Sequence, residues 1–432
     1  MASPDAITRI WAREVLNFRG HPTVEGEVIL ADGSYGKAAV PAGISTGSSE
    51  AIQLLDGDPK RFGGKGVLQA VENVKRVIAP ALRGMKATRQ KEVDEQLLNL
   101  DGTPDKSRLG ANAILAVSLA TAYAAAASLK VPLYRHLGGE GPFRLPVPVF
   151  DMLAGGSHAQ SSVDFQEYLV IPAGLSSFAE ALQAGANVYR ALGEILRLKG
   201  YSVPEASGPY LPSLSSNREG VEIIAAAIEK AGYKLGKECS IGIDAAASEL
   251  YEDGNYALTG EGRKLTAQEM VNLWAEWVEA YPIVSIEDGL AEEDWEGWQA
   301  LTRRIGDKVQ LVGDDLFTTN PARIQKGIEL QAANAVLIKP NQIGTLTETM
   351  EAMRIAKEAG WAAMISSRSG ETEDTTIADL AVLDGAGQIK TGPPCHKSIV
   401  KYNRLLRIAE ELGDKGEYAG LRVFIPRRKK TS

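Results

Sequence analysis

The segment Ile283-Val-Ser-Ile-Glu287 is a short apolar run that ends in a carboxylate. Runs of this kind are typical of strands that are buried on both faces in a parallel sheet. Similar runs recur along the second half of the chain, and each is followed by a helical pattern. Their spacing is roughly 25–30 residues, close to the ~30 residues per unit of an eight-fold β/α barrel. The runs end at Asp244, Glu287, Asp314, Lys339, Ser366–Arg368 and Lys390.

Polar residues at these strand ends predict one site at the mouth of a barrel. In β/α barrels, catalytic groups lie at the carboxyl ends of the strands. A single Asp or Glu there usually caps a helix or faces solvent, and a single Lys usually forms an ion pair. A whole set of such positions in register is much harder to explain in that way. We therefore predict that these side chains converge.

The first part of the chain has a different pattern. Ile7–Val15 and Thr23–Leu30 alternate and are rich in β-branched residues, which is typical of strands. A Gly- and Pro-rich segment, Gly138–Pro148, reads as a linker. We predict an α+β domain over residues 1–140 and a barrel with the active site over 141–432. Helical patterns in the first domain cover Gly66–Leu82, Arg89–Leu98 and Gly110–Leu129.

Composition narrows the class of protein. The chain of 432 residues is 44% apolar and carries a net charge of −8, which argues against a nucleic-acid binder. Its two cysteines imply no disulfide framework. The N-terminus lacks a signal-peptide pattern. The Ala-rich run Ala111–Ala127 contains Asn112 and hydroxyl residues, so we predict a buried helix and not a membrane span. We expect a cytoplasmic protein without membrane partners.

The residues at the strand ends indicate a chemistry. Asp244, Glu287 and Asp314 offer hard oxygen ligands, which Mg²⁺ prefers. A nearby dication would lower the pKa of Lys339 or Lys390, so that one of them could act as a base. Arg368 and Ser369 could hold a phosphate-like anion. This combination suits removal of a proton next to a carboxylate.

The motifs resemble those of the enolase family from Ile7 to about Leu412. The resemblance implies an α/β fold, with an enolase-type eight-fold β/α (TIM-like) barrel and a smaller N-terminal α+β domain. It also implies two Mg²⁺ ions per active site and a homodimer. Enolase-superfamily sites use a Lys or His base together with Mg²⁺. The motifs are Arg19-Gly-His-Pro-Thr-Val-Glu25, Ile286-Glu-Asp-Gly-Leu-Ala-Glu-Glu-Asp-Trp295, Val312-Gly-Asp-Asp-Leu316, Asn341-Gln-Ile-Gly-Thr-Leu346, Arg368-Ser-Gly-Glu-Thr-Glu-Asp374 and Gln388-Ile-Lys-Thr-Gly392.

The resemblance assigns roles to individual residues. Lys339 would be the base that takes the C2 proton, and Lys390 would hold the substrate carboxylate. Arg368 and Ser369 would grip the phosphate. The remaining residues would bind one magnesium (Asp244, Glu287, Asp314), bind a second magnesium (Ser45), and line the pocket near the leaving hydroxyl (His158, Gln166, Glu167).

The chain departs from the family pattern on the side of the leaving group. Enolases carry a Gly-Asp-Glu-Gly-Gly-Phe segment whose Glu is the general acid, whereas this chain has Val203-Pro-Glu-Ala-Ser-Gly-Pro-Tyr-Leu-Pro212. Glu205, Glu167 or a water molecule would then have to supply the proton. Ser367 replaces a His and Ala154 replaces an Asn. Further differences lie at His21, Pro340 and His396-Lys-Ser398.

These departures favour a changed substrate. Loss of a positioned acid typically costs about 10²–10⁴ in rate. Both small replacements remove bulk, which suits a larger substrate, and enolase relatives of antibiotic biosynthesis use a 2-phosphoglycerate analogue with a carboxyl group on phosphorus. Ser367, His396 and Arg368 are candidate partners for that group. Three alternatives remain: an ordinary phosphopyruvate hydratase, a metal-dependent transferase with an enolpyruvate or glycerate acceptor, and a non-catalytic binding protein.

Overall fold

The computed structural model describes residues 3–43, 47–156, 163–203 and 208–424. Its N-terminal part is an antiparallel sheet with helices packed on it, in the strand order β1-β2-β3. Both predicted strands are present, and the third pairs with the second. The elements are β1 (Ile7–Leu16), β2 (Pro22–Leu30), β3 (Tyr35–Ala39), α1 (Leu68–Asn73), a π-helical turn (Val74–Ile78), α2 (Ala79–Leu82), α3 (Gln90–Asp101), α4 (Ala111–Leu129) and α5 (Leu133–Gly138).

Helix α4 lies against this sheet. Glycines on the strands permit the close approach, since a Cβ at Gly36 would overlap backbone atoms of Ala120 and Ala124. The helix is apolar and long enough to cross a bilayer by composition alone, but 83% of its 18-residue apolar window is buried inside the protein. The prediction of a buried core helix is therefore confirmed.

The second part is a closed eight-stranded barrel, which confirms the predicted fold class. Every polar strand end predicted from the sequence lies at the end of a barrel strand or directly after one. The strands from here to the C-terminus are β4 (Arg144–Leu145), β5 (Val147–Ala154), β6 (Glu167–Ile171), β7 (Ser240–Asp244), β8 (Tyr251–Glu252), β9 (Asn255–Leu258), β10 (Arg263–Leu265), β11 (Ile283–Glu287), β12 (Gln310–Gly313), β13 (Ala335–Ile338), β14 (Ala362–Ser366), β15 (Gln388–Lys390) and β16 (Glu417–Tyr418).

Helices surround the barrel, and their starts carry the expected capping residues. Thr266 and Glu269 form the predicted capping box at the start of α8. Serine, threonine or asparagine side chains cap several others. The helices are α6 (Phe178–Leu198), α7 (Asn217–Lys230), α8 (Ala267–Ala280), α9 (Trp295–Ile305), α10 (Pro321–Leu330), α11 (Pro340–Ile343), α12 (Leu346–Glu358), α13 (Thr376–Ala381) and α14 (Ile399–Leu412).

The barrel order is β11-β12-β13-β14-β15-β5-β6-β7, and β6 runs antiparallel to both of its neighbours. The repeating pattern in the sequence predicted six of these strands and missed β5 and β6. β5 ends at Ala154 and β6 already begins at Glu167, so the spacing of roughly 25–30 residues on which the prediction relied is absent there. The segment predicted as a linker also contains β4, which pairs with β16.

The N-terminal part contacts the mouth of the barrel. The Phe18 amide donates to the carbonyl of Glu371, and Ala42 forms an antiparallel bridge with Gly370. The Ser48 amide donates to the Glu292 carboxylate. These contacts bring N-terminal residues next to the loops that follow the barrel strands.

Candidate active site

A cavity of about 590 Å³ lies at the carboxyl ends of the barrel strands. Nearly all of the predicted site residues that the structure describes line it. Glu287 lies at its base, 1% exposed, and contacts Lys390. The predicted residues along the wall are Gln166, Glu167, Asp244, Asp314, Lys339, Ser367, Arg368, Ser369 and Lys390.

Lys390 is surrounded by carboxylates. Its Nζ lies 2.9 Å from Glu167 Oε2, 2.9 Å from Asp244 Oδ2 and 2.8 Å from Glu287 Oε2. Burial opposes the charged amine, but these carboxylates raise the pKa of Lys390 well above its ordinary value. Burial and the neighbouring Asp244 charge raise the pKa of Glu287. The carboxylates on β6, β7 and β11 therefore favour a positively charged group on this side of the cavity.

Lys339 forms the second buried pair. Its Nζ lies 2.5 Å from Asp314 Oδ2, and Gln342 donates to the other oxygen of Asp314 at 2.9 Å. The Lys339 amide donates to the Thr319 hydroxyl, which fixes the end of β13. Although burial favours the neutral amine, Asp314 raises the pKa of Lys339. The lowered pKa expected from the sequence concerns a lysine beside a bound dication and stays a prediction.

Arg368 connects the two parts of the molecule. Its Nη1 lies 2.8 Å from Glu50 Oε2, and its Nη2 donates to Glu50 Oε1 at 3.2 Å. Both side chains are almost fully buried. Gly43 passes so close that a Cβ there would overlap the guanidinium. Sequence patterns did not indicate Glu50, because its pairing with Arg368 joins residues more than three hundred positions apart.

Two further aspartates adjoin Asp314. Asp288 accepts hydrogen bonds from the Asp314 and Asp315 amides, each at 2.9 Å. One oxygen from each of Asp288, Asp314 and Asp315 lies within 4.8 Å of the others, so this group could also hold a metal ion. Burial and the Asp314 charge raise the pKa of Asp315 to about 8. The sequence could have indicated both aspartates, because Asp288 and Asp315 each directly follow a predicted metal ligand in the chain.

Lys397 was also missed, although its segment had been noted as a departure from the family. Its Nζ donates to the carbonyls of Arg368 at 2.8 Å and Ser369 at 3.2 Å. Burial lowers the pKa of this lysine. No carboxylate in the described part of the chain forms an ion pair with it. Lys397 therefore adds positive charge to the cavity wall beside Arg368.

The donor set fits magnesium. Asp244, Glu287 and Asp314 come from the ends of adjacent strands and are buried, and their carboxylates already surround ammonium groups. All offer hard oxygen atoms and none offers sulfur or nitrogen, which is the preference of Mg²⁺.

Three predicted site residues, Ser45, His158 and Glu205, lie outside the described residues. The two small replacements, Ala154 and Ser367, both line the cavity. The Ser367 amide donates to the carbonyl of Lys390, so its backbone is fixed by the neighbouring strand.

Comparison with models of protein families shows to which family the chain belongs. Residues 142–427 match the enolase C-terminal TIM barrel domain, and residues 7–137 match the enolase N-terminal domain. The chain belongs to the enolase family. Enolases bind Mg²⁺, and family membership supports an enolase-like lyase. The cavity at the enolase barrel mouth is therefore the candidate active site.

Proposed function

We propose that this enolase-family protein is a magnesium-dependent hydro-lyase for a 2-phosphoglycerate-like substrate with an additional anionic group. More specifically, we propose the activity of carboxyphosphonoenolpyruvate synthase, an enzyme whose substrate carries a carboxyl group on phosphorus. The observation that carries it is one cavity in which two lysines and a set of metal-type carboxylates lie together with Arg368 and Lys397.

The proton-abstracting side supports the reaction class. Lys339 would take the C2 proton, and Lys390 would hold the substrate carboxylate. Magnesium held by Asp244, Glu287 and Asp314 supplies positive charge where negative charge develops on that carboxylate. Paired with Asp314, Lys339 rests as an ammonium. Engagement of Asp314 by a dication would remove that partner's charge and favour the neutral amine.

The residues around Arg368, between the strands that carry Lys339 and Lys390, support the additional anionic group. Arg368 offers a planar fork suited to phosphate. Lys397 has three donor hydrogens, and two of them serve backbone carbonyls, which leaves one for a ligand. Ala154 and Ser367 leave room beside them. His396, exposed at the rim of the cavity, is a further candidate partner.

Deuterium exchange tests the proposal. The protein is incubated with Mg²⁺ in D₂O with either 2-phosphoglycerate or its carboxyphosphono analogue, and NMR follows the C2 proton and the dehydrated product. We expect exchange with the correct substrate, and none in Lys339→Ala. Lys308→Ala, an exposed lysine far from the cavity, serves as the control.

Each alternative gives a different result. Faster turnover of 2-phosphoglycerate than of the analogue would identify an ordinary phosphopyruvate hydratase. A transferase would give no dehydration until a second, activated substrate is added. A non-catalytic binding protein would show neither exchange nor dehydration. Retained exchange in Lys339→Ala would exclude Lys339 as the base.

A further inference from the structure

Asp151 is a buried carboxyl group on β5 with no role in the reaction as described so far. It is 7% exposed, and it lines the active-site cavity. Its Oδ1 is buried without a hydrogen-bond partner, and within the described residues no ion pair involves its carboxyl group. Unpaired buried carboxyls are rare, because a charged carboxylate in such a place pays a large desolvation cost.

The strand geometry places Asp151 inside the barrel. Phe150, the preceding residue, packs its ring edge against Tyr402 of α14, outside the strands. Side chains alternate along a strand, so Asp151 faces the interior. The β5–β6 register shifts between Asp151 and Leu153, and such irregularities re-aim side chains next to active sites.

Asp151 lies on a different side of the cavity from Lys339. Asp151 belongs to β5 and Lys339 directly follows β13, and the barrel order places β14 and β15 between these two strands. An elimination needs a base at C2 and an acid at the hydroxyl on the next carbon, and these two groups approach the substrate from separate directions.

Asp151 is better suited to donate a proton than Glu167. Glu167 pairs with Lys390 at 2.9 Å, so its carboxyl group is already engaged by that amine. Asp151 has no such partner. Burial, reinforced by the charge of Glu167, raises the pKa of Asp151 well above its ordinary value. An apolar site can keep a carboxyl group protonated at neutral pH in this way so that it donates a hydrogen bond.

We propose that Asp151 is the general acid of this enzyme, in place of the glutamate of the enolase Gly-Asp-Glu-Gly-Gly-Phe segment, a motif that this chain does not retain. This proposal rests on the proposed function. The Lys339 amine takes the C2 proton, and the C2–H electron pair becomes the C2–C3 double bond. The C3–O bond breaks, and the leaving hydroxide takes the carboxyl proton of Asp151 and departs as water. Proton exchange with solvent then restores both residues.

Asp151→Asn tests the assignment by separating two half-reactions. Exchange of the C2 proton needs only the base and the metal, whereas dehydration also needs the acid. We expect dehydration to fall about 10²–10⁴-fold, the usual effect of a lost general acid, while C2 exchange stays within about threefold of the wild type. The substrate is whichever of 2-phosphoglycerate and its carboxyphosphono analogue the wild type dehydrates.

Met152→Leu is the matched control, because Met152 is the next residue on β5, is fully buried without lining the cavity, and this swap nearly conserves volume. Asp151→Ser replaces the asparagine variant if thermal melting shows that the latter is unfolded. Two results in Asp151→Asn would overturn the assignment: equal losses of exchange and dehydration, or dehydration at the wild-type rate. A loss of dehydration in Glu205→Gln alone would also overturn it. No exchange in the wild type would instead contradict the proposed function on which it rests.

Discussion

At the residue scale, the cationic side chains of the cavity wall differ in whether a carboxylate pairs with them. Lys390 and Lys339 are neutralised by buried carboxylates, and Arg368 is neutralised by Glu50. Lys397 differs, because within the described residues it contacts only backbone carbonyls. Lys397 is half-buried, and an ammonium removed from water without a counter-ion is costly. It is therefore the residue of this wall best suited to an anionic ligand.

Lys397→Met tests this role. It keeps the length of the side chain and removes the charge, so we expect the KM for the carboxyphosphono substrate to rise roughly 10- to 100-fold, since a hydrogen bond to a charged group contributes about 1.5–3 kcal/mol. Steady-state kinetics measures the change. Lys357→Met, at an exposed lysine paired with Asp384, is the control and should leave the KM unaltered. An equal KM in Lys397→Met would remove this lysine from substrate binding.

At the element scale, the N-terminal part depends on close helix–sheet contact. Helix α4 is apolar on nearly all sides and is buried between the sheet and the barrel helices. Its backbone approaches β3 at Gly36, where there is no space for a methyl group. Packing of this kind tolerates added volume poorly, because both elements are fixed by their own hydrogen bonds.

We expect Gly36→Ala to destabilise the protein by about 1–3 kcal/mol, the usual cost of overpacking. Lys37→Ala, at the adjacent exposed position on β3, should cost less than about 1 kcal/mol, since only a surface ion pair with Glu25 is lost. Chemical denaturation of both variants gives the comparison. If the two losses were equal, strand propensity and not packing against α4 would be the cause.

At the scale of the whole molecule, we expect metal binding and folding to be coupled. Carboxylates from β7, β11 and β12 repel one another across the barrel mouth, and burial and Asp244 together raise the pKa of Glu287. A dication that binds only the folded barrel stabilises it by mass action.

The homodimer stays a prediction, which sedimentation analysis can check.

Magnesium should therefore raise the melting temperature. At a concentration 100-fold above its Kd, the stabilisation is about 2.7 kcal/mol. The shift should be much smaller in Asp244→Asn, and chelation should reverse it in the wild type. Asp58→Asn, at an exposed carboxylate, should behave like the wild type. Equal shifts in both variants would show that the ion binds elsewhere.

The sequence by itself determined the barrel class, because a repeated apolar run with a polar end is a local pattern whose spacing is visible along the chain. It also placed nine wall residues, together with Glu287 at the base, in one site. It could not reveal β5 and β6, since these strands lie too close together along the chain to fit the repeat of strand and helix. Only the tertiary structure paired Glu50 with Arg368 and brought Asp151 and Lys397 to the same cavity as Lys339. Those relations join residues distant in sequence, and the three-dimensional closure of the barrel creates them.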